Sequence, residues 1–211
     1  MKPFIITIVA VLMSLAVNAQ WRIGPKVSLG HIAQKSEAIT VIPMTDYIVY
    51  DFEYVGSTPV TSIGFMAIND LGPVFLQAEL LATTYGMDFY LSGYGGDSDN
   101  GQIYSQNYYI LEVPFNAGVR FKDMKIGVGP VMDINIDVDS EFESMSEYRN
   151  TTKSMDFGFQ GMLGYTTGMF HFDLKYIYKF TSIVDGFSFG YDEMKYKKSA
   201  NRLSFSIGMA F

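Results

Sequence analysis

Beyond residue 20, apolar and polar residues alternate one by one through eight segments of the chain. Such alternation is typical of β-strands with two different faces, because successive side chains of a strand point to opposite sides. In the last segment the apolar positions are Leu203, Phe205, Ile207, Met209 and Phe211. The predicted strands are residues 21–30, 59–69, 73–83, 110–121, 125–138, 155–166, 170–180 and 202–211.

Short and long links alternate strictly between these strands. The short links lie near residues 70–72, 122–124 and 167–168, and the long polar ones span residues 31–58, 84–109, 139–153 and 181–200. Short periplasmic turns and long extracellular loops are the pattern of an outer-membrane barrel, and each strand approaches the length that crosses the hydrocarbon. The sequence therefore predicts an all-β fold, an eight-stranded antiparallel up-and-down transmembrane β-barrel.

A soluble sandwich or a lipocalin-type barrel is the alternative, with the apolar faces turned inward. The opposite faces argue against it, because they carry Arg, Lys, Asp and Glu among many Gly, which suits a crowded small lumen. Aromatic residues also gather near the strand ends, as interfacial girdles do. These residues are Trp21, Phe121, Phe170, Tyr178, Phe180 and Phe211.

The N-terminus follows the pattern of a secretory signal. Lys2 precedes an apolar run from Phe4 to Val17, and small residues reach Ala19. That run is shorter than the roughly 20 residues of a membrane-spanning helix. We predict a cleaved signal peptide over residues 1–19, an outer-membrane barrel over residues 20–211, and export to the outer membrane.

Composition narrows the function classes. The 211 residues have a net charge of −7, with 48% apolar, 16% aromatic and 18% charged residues. This balance argues against a disordered chain and against a nucleic-acid partner, which would require a basic surface. The absence of Cys excludes disulfides and thiolate metal sites, and only two His are present.

Several segments resemble the PorT-like outer-membrane β-barrel family of Gram-negative bacteria. The resemblance rests on the opening Trp21–Leu29, on Gln77–Leu81, on Leu111–Phe115 and on Asp156–Tyr165. The end, Leu203–Phe211, resembles the terminal strand that the barrel-assembly machinery accepts, with Phe211 as its final aromatic. The resemblance implies an outer-membrane protein, and a founding member of the family is implicated in protein secretion.

The inward faces of the predicted strands carry both signs of charge. An eight-stranded barrel is just wide enough for side chains to fill, and a buried charge is tolerated only when it is paired. We therefore predict an ion-pair network that plugs the lumen, with a narrow ion path as the alternative. Its members are Arg22, Lys26, Glu79, Glu112, Arg120, Lys125, Asp133, Asp156, Asp173, Lys175, Lys179 and Arg202.

The loops offer weaker candidates. Asp97–Gly101 has part of a calcium-loop pattern with the wrong spacing, and Asp137–Glu143 is a second carboxylate cluster, so a solvated acidic surface is the simpler reading of both. For hydrolysis, neither His31 nor His171 has an adjacent Ser and acid at alternate positions on an outward face. Aromatic residues of the long links 31–58 and 84–109 suit either a recognition surface or a hairpin that extends the barrel wall. These residues are Tyr47, Tyr50, Phe52, Tyr54, Phe89, Tyr90, Tyr94, Tyr104, Tyr108 and Tyr109.

These observations predict a non-enzymatic outer-membrane protein that acts as a structural or protein-interaction component through its extracellular loops. A lipid-modifying enzyme and a narrow ion channel are the alternatives. The predicted partners are outer-membrane lipid, the barrel-assembly machinery and a protein that contacts the loops. No cofactor and no metal are predicted.

Overall fold

The alternating segments form strands in the computed structural model, which describes most of the chain after residue 20. The described residues are 21–33, 38–41, 49–94, 101–144, 148–150, 154–180, 187–189, 192–194 and 201–211. The predicted signal peptide, residues 1–19, lies outside them. Among the described residues, no helix is long and apolar enough to cross a membrane.

Thirteen strands and one short 3-10 helix make up the described secondary structure. In chain order the strands are β1 (Trp21–Ile32), β2 (Ala38–Val41), β3 (Val49–Ser57), β4 (Val60–Leu71), β5 (Val74–Tyr94), β6 (Gln102–Phe121), β7 (Met124–Ser140), β8 (Tyr148–Asn150), β9 (Met155–Thr167), β10 (Phe170–Lys179), β11 (Phe187–Phe189), β12 (Asp192–Met194) and β13 (Arg202–Met209). The 3-10 helix, η1 (Glu141–Ser144), follows β7 directly.

Eight of these strands close into a ring. The antiparallel order is β1-β4-β5-β6-β7-β9-β10-β13, and β13 pairs with β1 to complete the circle. The pairing joins the first strand to the last, from Lys26 opposite Gly208 to Ile32 opposite Arg202. The prediction of an eight-stranded antiparallel up-and-down barrel is confirmed.

Three two-residue turns define one end of the barrel, which we call the turn end. Each turn places its first residue in the left-handed region, at Gly72 (φ 72°), Lys122 (φ 54°) and Gly168 (φ 58°). A positive φ at this position matches the twist of the flanking strands, and Gly adopts it without steric cost. Both chain termini of the barrel lie at this end, and the long connections lie at the other, the loop end.

The barrel is apolar outside and polar inside. Side chains such as Leu29, Phe65, Leu174 and Phe205 stand on the outer surface, and Phe205 is 48% exposed. Their strand neighbours point inward, where Lys26 and Asp173 are at most 1% exposed. A soluble sandwich would show the reverse distribution, whereas a barrel that spans a membrane requires this one.

One side of the wall rises beyond the ring at the loop end. β5 and β6 pair from Val74 opposite Val119 up to Leu91 opposite Gln102, so much of the predicted loop 84–109 is strand. β3 continues this sheet by pairing with the upper part of β5, and β2 pairs with β3. This raised part is called the wall: it consists of β3 and the upper parts of β5, β6 and β7, together with the 3-10 helix η1. The connections over residues 139–153 and 181–200 contribute a separate three-stranded sheet, β8-β11-β12.

A bulge in β7 corrects one feature of the predicted alternation. Tyr109 pairs with Asp137 but the next residue, Ile110, pairs with Asn135, so Ile136 is the extra residue. An extra residue reverses the inward and outward order beyond it. Unbroken alternation over the predicted strand 125–138 would turn Val138 outward and Asp137 inward. Instead, Val138 packs against buried apolar residues and Asp137 is exposed.

The exposed apolar belt generates the first prediction. Phe205→Arg places a cation near the middle of the lipid-facing surface, where such a charge costs about 2–4 kcal/mol, so the free energy of unfolding in lipid vesicles should fall by that amount. Phe180→Arg is the matched control, because Phe180 follows the end of β10 at the loop end. Near the interface the penalty falls to about 0–1 kcal/mol. Equal losses for the two variants would contradict the membrane assignment of the belt.

Candidate functional site

Among the described residues, the lumen holds ten buried charged side chains, five of each sign. Each is at most 5% exposed, and they come from every strand of the ring except β4. The cations are Lys26, Lys125, Lys175, Lys179 and Arg202, and the carboxylates are Glu79, Glu112, Asp133, Asp156 and Asp173. Equal numbers matter here because an unpaired charge in a low-dielectric interior costs several kcal/mol.

A first cluster occupies the middle of the barrel. The Lys26 ammonium bridges two strands, with its Nζ 2.8 Å from Oε1 of Glu79 and 2.5 Å from Oδ2 of Asp173. Lys175 donates to both oxygens of Glu79 at 2.6 Å. Gln77 donates to both carboxylates, at 2.7 and 3.0 Å, so each acceptor has more than one donor.

Lys125 joins this cluster through weaker contacts. Its Nζ lies 3.6 Å from Oδ1 of Asp173, 3.2 Å from Oε1 of Gln77 and 3.3 Å from Nδ1 of His171. The same ammonium stands 5.5 Å from the centre of the Phe75 ring, within the range of a cation–π contact. The middle cluster thus contains three Lys and two carboxylates.

A second cluster lies between the first and the loop end. The Arg202 guanidinium donates to Oε2 of Glu112. The Lys179 ammonium lies 2.5 Å from Oδ2 of Asp133 and 4.0 Å from Oδ2 of Asp156. This cluster has three carboxylates and two cations, so the two clusters together are balanced although neither is balanced alone.

The remaining two predicted members, Arg22 and Arg120, lie apart from these clusters at the turn end. Both guanidiniums donate to Oδ2 of Asp70, with Nη1 of Arg120 at 2.8 Å. Their side chains are 31% and 27% exposed, so water screens these pairs. Asp70 was not among the predicted members, because it lies at the end of β4 in a segment predicted to be a turn.

Neutral polar side chains complete the network and were also missed. Besides Gln77, Gln160 donates to Oδ1 of Asn116 at 2.9 Å, and the Thr166 hydroxyl lies 3.0 Å from Nδ1 of His171. All of them stand on inward positions of the predicted alternation. The parity of the strand could therefore have found them, whereas the prediction considered charged residues alone.

Inward-facing glycines make room for the charges. A Cβ added to Gly164 would lie 2.7 Å from Oδ1 of Asp173 and 2.9 Å from Cε of Lys125. A Cβ on Gly208 would meet Sδ of Met66. Glycine at these positions lets long side chains from neighbouring strands cross a narrow lumen.

Two clusters of buried apolar side chains pack against the charges. Toward the turn end, Met66, Ile68, Phe75, Met162 and Ala210 form one buried cluster. Toward the loop end a larger cluster contains Ile32, Tyr54, Val60, Tyr85, Met87, Phe89, Leu91, Tyr108, Ile110 and Phe142. In it, Tyr85 stacks on Tyr108 with ring centres 5.0 Å apart, and Phe142 of η1 stacks on Tyr104 at 4.9 Å.

Several aromatic residues of the predicted loops are buried in or against the loop-end cluster. Tyr54, Phe89, Tyr104 and Tyr108 point into the barrel mouth, whereas Tyr90 and Tyr109 are exposed on the outside. The side chains of Tyr47, Tyr50, Phe52 and Tyr94 lie outside the described residues. Most of the described aromatics therefore close the barrel and do not form an outer surface.

The two histidines have different surroundings. His31 is exposed on the outer face of β1, and His171 is buried in the lumen beside Thr166 and Lys125. In the described part of the chain, no three His, Asp or Glu side chains lie close enough together to hold a metal ion. Of the calcium-like segment Asp97–Gly101, residues 97–100 lie outside the described residues. The C-terminal aromatic residue, Phe211, is 77% exposed at the turn end.

Comparison with known proteins adds little to this geometry. No protein family matches the chain, and no curated protein matches it either. Among solved structures, the NanC porin in a rhombohedral crystal form is 11% identical, with a TM-score of 0.29 over 89% of this chain and 98% of the porin. Because both values are low, the fold assignment rests on the strand pairing of the chain itself.

The close approach at Gly164 generates the second prediction. Gly164→Ala forces Asp173 and Lys125 apart in a packed interior, and overpacking of this kind costs about 1–3 kcal/mol of the free energy of unfolding. Gly161→Ala is the matched control on the same strand, because nothing lies within 4 Å of its Cβ position. The control should change stability by less than about 1 kcal/mol. Urea unfolding in lipid vesicles measures the stability change of each variant. Equal changes would show that the lumen can hold an extra methyl group at position 164 without strain.

The buried pair of Arg202 and Glu112 generates the third prediction. Arg202→Met leaves a carboxylate buried without its partner, so the free energy of unfolding should fall by about 3–5 kcal/mol. Adding Glu112→Leu should restore much of the loss, because no uncompensated charge remains.

The partly exposed pair of Arg22 and Asp70 provides the control for this cycle. Arg22→Met should cost less than about 1 kcal/mol, because water screens that contact. A double variant at residues 112 and 202 that is no more stable than Arg202→Met alone would contradict the electrostatic origin of the loss.

Proposed function

We propose that this chain is an exported outer-membrane protein whose barrel is a non-conducting, non-enzymatic anchor and whose loop end contacts another protein. One observation carries the proposal: among the described residues, a balanced set of ten buried charges fills a ring of only eight strands together with two buried apolar clusters. The apolar exterior supports the membrane location, since a closed barrel leaves no strand edge unpaired in lipid.

The direction of insertion follows from the two ends. Short turns and both termini belong to the periplasmic side of such barrels, and long connections face the outside of the cell. The predicted signal peptide over residues 1–19 supports export. In this orientation the wall, with β3 and the upper parts of β5 and β6, stands outside the cell.

The packing of the lumen supports an anchor over a channel. An ion that crossed the barrel would have to pass Phe75 and Met162 near the turn end and Tyr85 and Tyr108 near the loop end, all of them buried. It would also have to separate Lys26 from two carboxylates at 2.5–2.8 Å. Neither step is compatible with rapid conduction through a rigid, filled barrel.

The positions of the histidines support a non-enzymatic role over a lipid-modifying one. A hydrolase of membrane lipid requires a nucleophile, a base and an orienting acid together on the lipid side. His31 faces outward and pairs in the sheet opposite Leu203, and His171 lies inside the lumen, away from lipid.

The resemblance to the PorT-like family supports a link to protein secretion. It rests on the segments Trp21–Leu29, Gln77–Leu81, Leu111–Phe115 and Asp156–Tyr165, all of which lie in strands of the ring. Secretion systems require outer-membrane components that bind other proteins, which is compatible with a filled barrel that carries a wall outside the membrane.

Planar-bilayer recording tests the proposal and is the fourth prediction. The purified mature protein should produce no current steps at any applied voltage, because the lumen is filled along its length. Phe142→Ala should also remain silent, because the charged clusters below the aromatic layer still fill the barrel. Reproducible steps with the unmodified protein would overturn the anchor in favour of the channel, and an altered lipid A chain composition in cells without the gene would favour the enzyme.

A further inference from the structure

Charge is distributed unequally between the barrel and its loop end. The segments beyond the ring, residues 33–59, 84–109, 135–154 and 180–201, contain fifteen carboxylates and six Lys or Arg. The rest of the chain after residue 19 contains seven carboxylates and eight Lys or Arg. The net negative charge of the protein is therefore carried by the connections between the ring strands.

The wall carries negative charge only. Its residues 49–57, 84–94, 102–109 and 135–144 contain seven carboxylates and no Lys, Arg or His. Asp88 and Glu141 are held in place at Ser105, whose hydroxyl donates to Asp88 at 2.8 Å and whose backbone N–H donates to Glu141 at 2.8 Å. On β7, Asp137 and Asp139 are exposed.

The outer face of the wall also carries an apolar patch, formed by Val55, Tyr90 and Ile103. These side chains are 55%, 37% and 54% exposed. Tyr90 pairs directly across the sheet with Ile103 on one side and with Glu53 on the other. The patch stands beyond Asp88 on β5, outside the apolar belt that faces lipid.

The tyrosine of the patch is held in position by its surroundings. Its ring and hydroxyl lie directly against the backbone of Gly101, in the space that a Cβ would occupy. An aromatic side chain that is already ordered loses little conformational entropy on binding, and Tyr is enriched among the residues that dominate binding energy. The inner face of the same sheet is already covered by Tyr54, Phe89 and Tyr108.

We propose that the outer face of the wall binds a basic segment of a partner protein, with an apolar side chain of that segment against Tyr90 and Ile103. This inference rests on the proposed function and specifies the chemistry of the partner. A second copy of this chain would bring the same negative charge to the interface, and phosphate-bearing lipid would be repelled in the same way. A cationic polypeptide matches both the acidic residues and the apolar patch.

Photo-crosslinking in intact source cells tests this proposal and is the fifth prediction. The full chain carries p-benzoylphenylalanine at position 103, and the adduct is digested and sequenced by mass spectrometry. We expect a crosslinked peptide of one recurrent protein with clustered Lys or Arg. Neutralising three wall carboxylates, with Asp88→Asn, Asp137→Asn and Asp139→Asn, should lower the yield about tenfold, since each exposed charge pair contributes modestly.

Two controls make the outcome specific. Asp123→Asn removes an exposed carboxylate at the turn end and should leave the yield unchanged. Crosslinker at position 205 should capture lipid, which tests the membrane barrel independently of any partner. Failure at position 205 overturns the proposed function itself.

With lipid captured at position 205, three results overturn the docking proposal alone. These are an adduct at position 103 with lipopolysaccharide only, a crosslinked peptide without basic residues, and a yield that the three neutralising substitutions do not change.

Discussion

Closure of the ring between β1 and β13 is the constraint on which the rest of this structure depends. In hydrocarbon each unpaired backbone group costs several kcal/mol, so a sheet can cross a membrane only when its first and last strands meet. Here they pair over seven residues from Lys26 to Ile32, and Ile23 and Phe211 exchange two further backbone hydrogen bonds at the turn end. Once the ring is closed, each side chain of the ring itself faces either the apolar outer surface or a narrow interior.

The narrow interior explains the composition of the inward positions. Eight strands leave room for side chains but not for bulk water, so each inward charge must find an opposite charge on another strand. Lys26 finds Glu79 and Asp173, and Arg202 finds Glu112. Glycine at position 164 supplies the space in which Lys125 and Asp173 approach each other. Buried apolar clusters pack against these charges and lower the local dielectric constant, which strengthens the ion pairs.

The same closure separates the wall from the rest of the chain. Beyond the ring, the sheet no longer has to surround a lumen, and of the described strands β2, β3, β5, β6 and β7 continue it. Its inner face is covered by the aromatic cluster that seals the barrel, so its outer face is the one that meets solvent. A single sheet thus serves two purposes, because one face completes the packing of the lumen and the other presents acidic and apolar side chains at the loop end.

The sequence by itself determined the strands, the short turns and the two faces, because period-two alternation and link length are local properties of the chain. The inward position of Lys26 or Asp173 follows from parity alone. The ion-pair partner of each charge does not follow from parity. Lys26 and Asp173 are 147 residues apart and meet only through the register and stagger of the closed ring. Parity also failed at Val138, because a bulge at Ile136 reverses the alternation and depends on pairing with β6. Likewise, the sequence left two roles open for Tyr54 and Tyr108 as loop aromatics. Both side chains point into the barrel mouth, because tertiary packing decides which face of the extended sheet is buried.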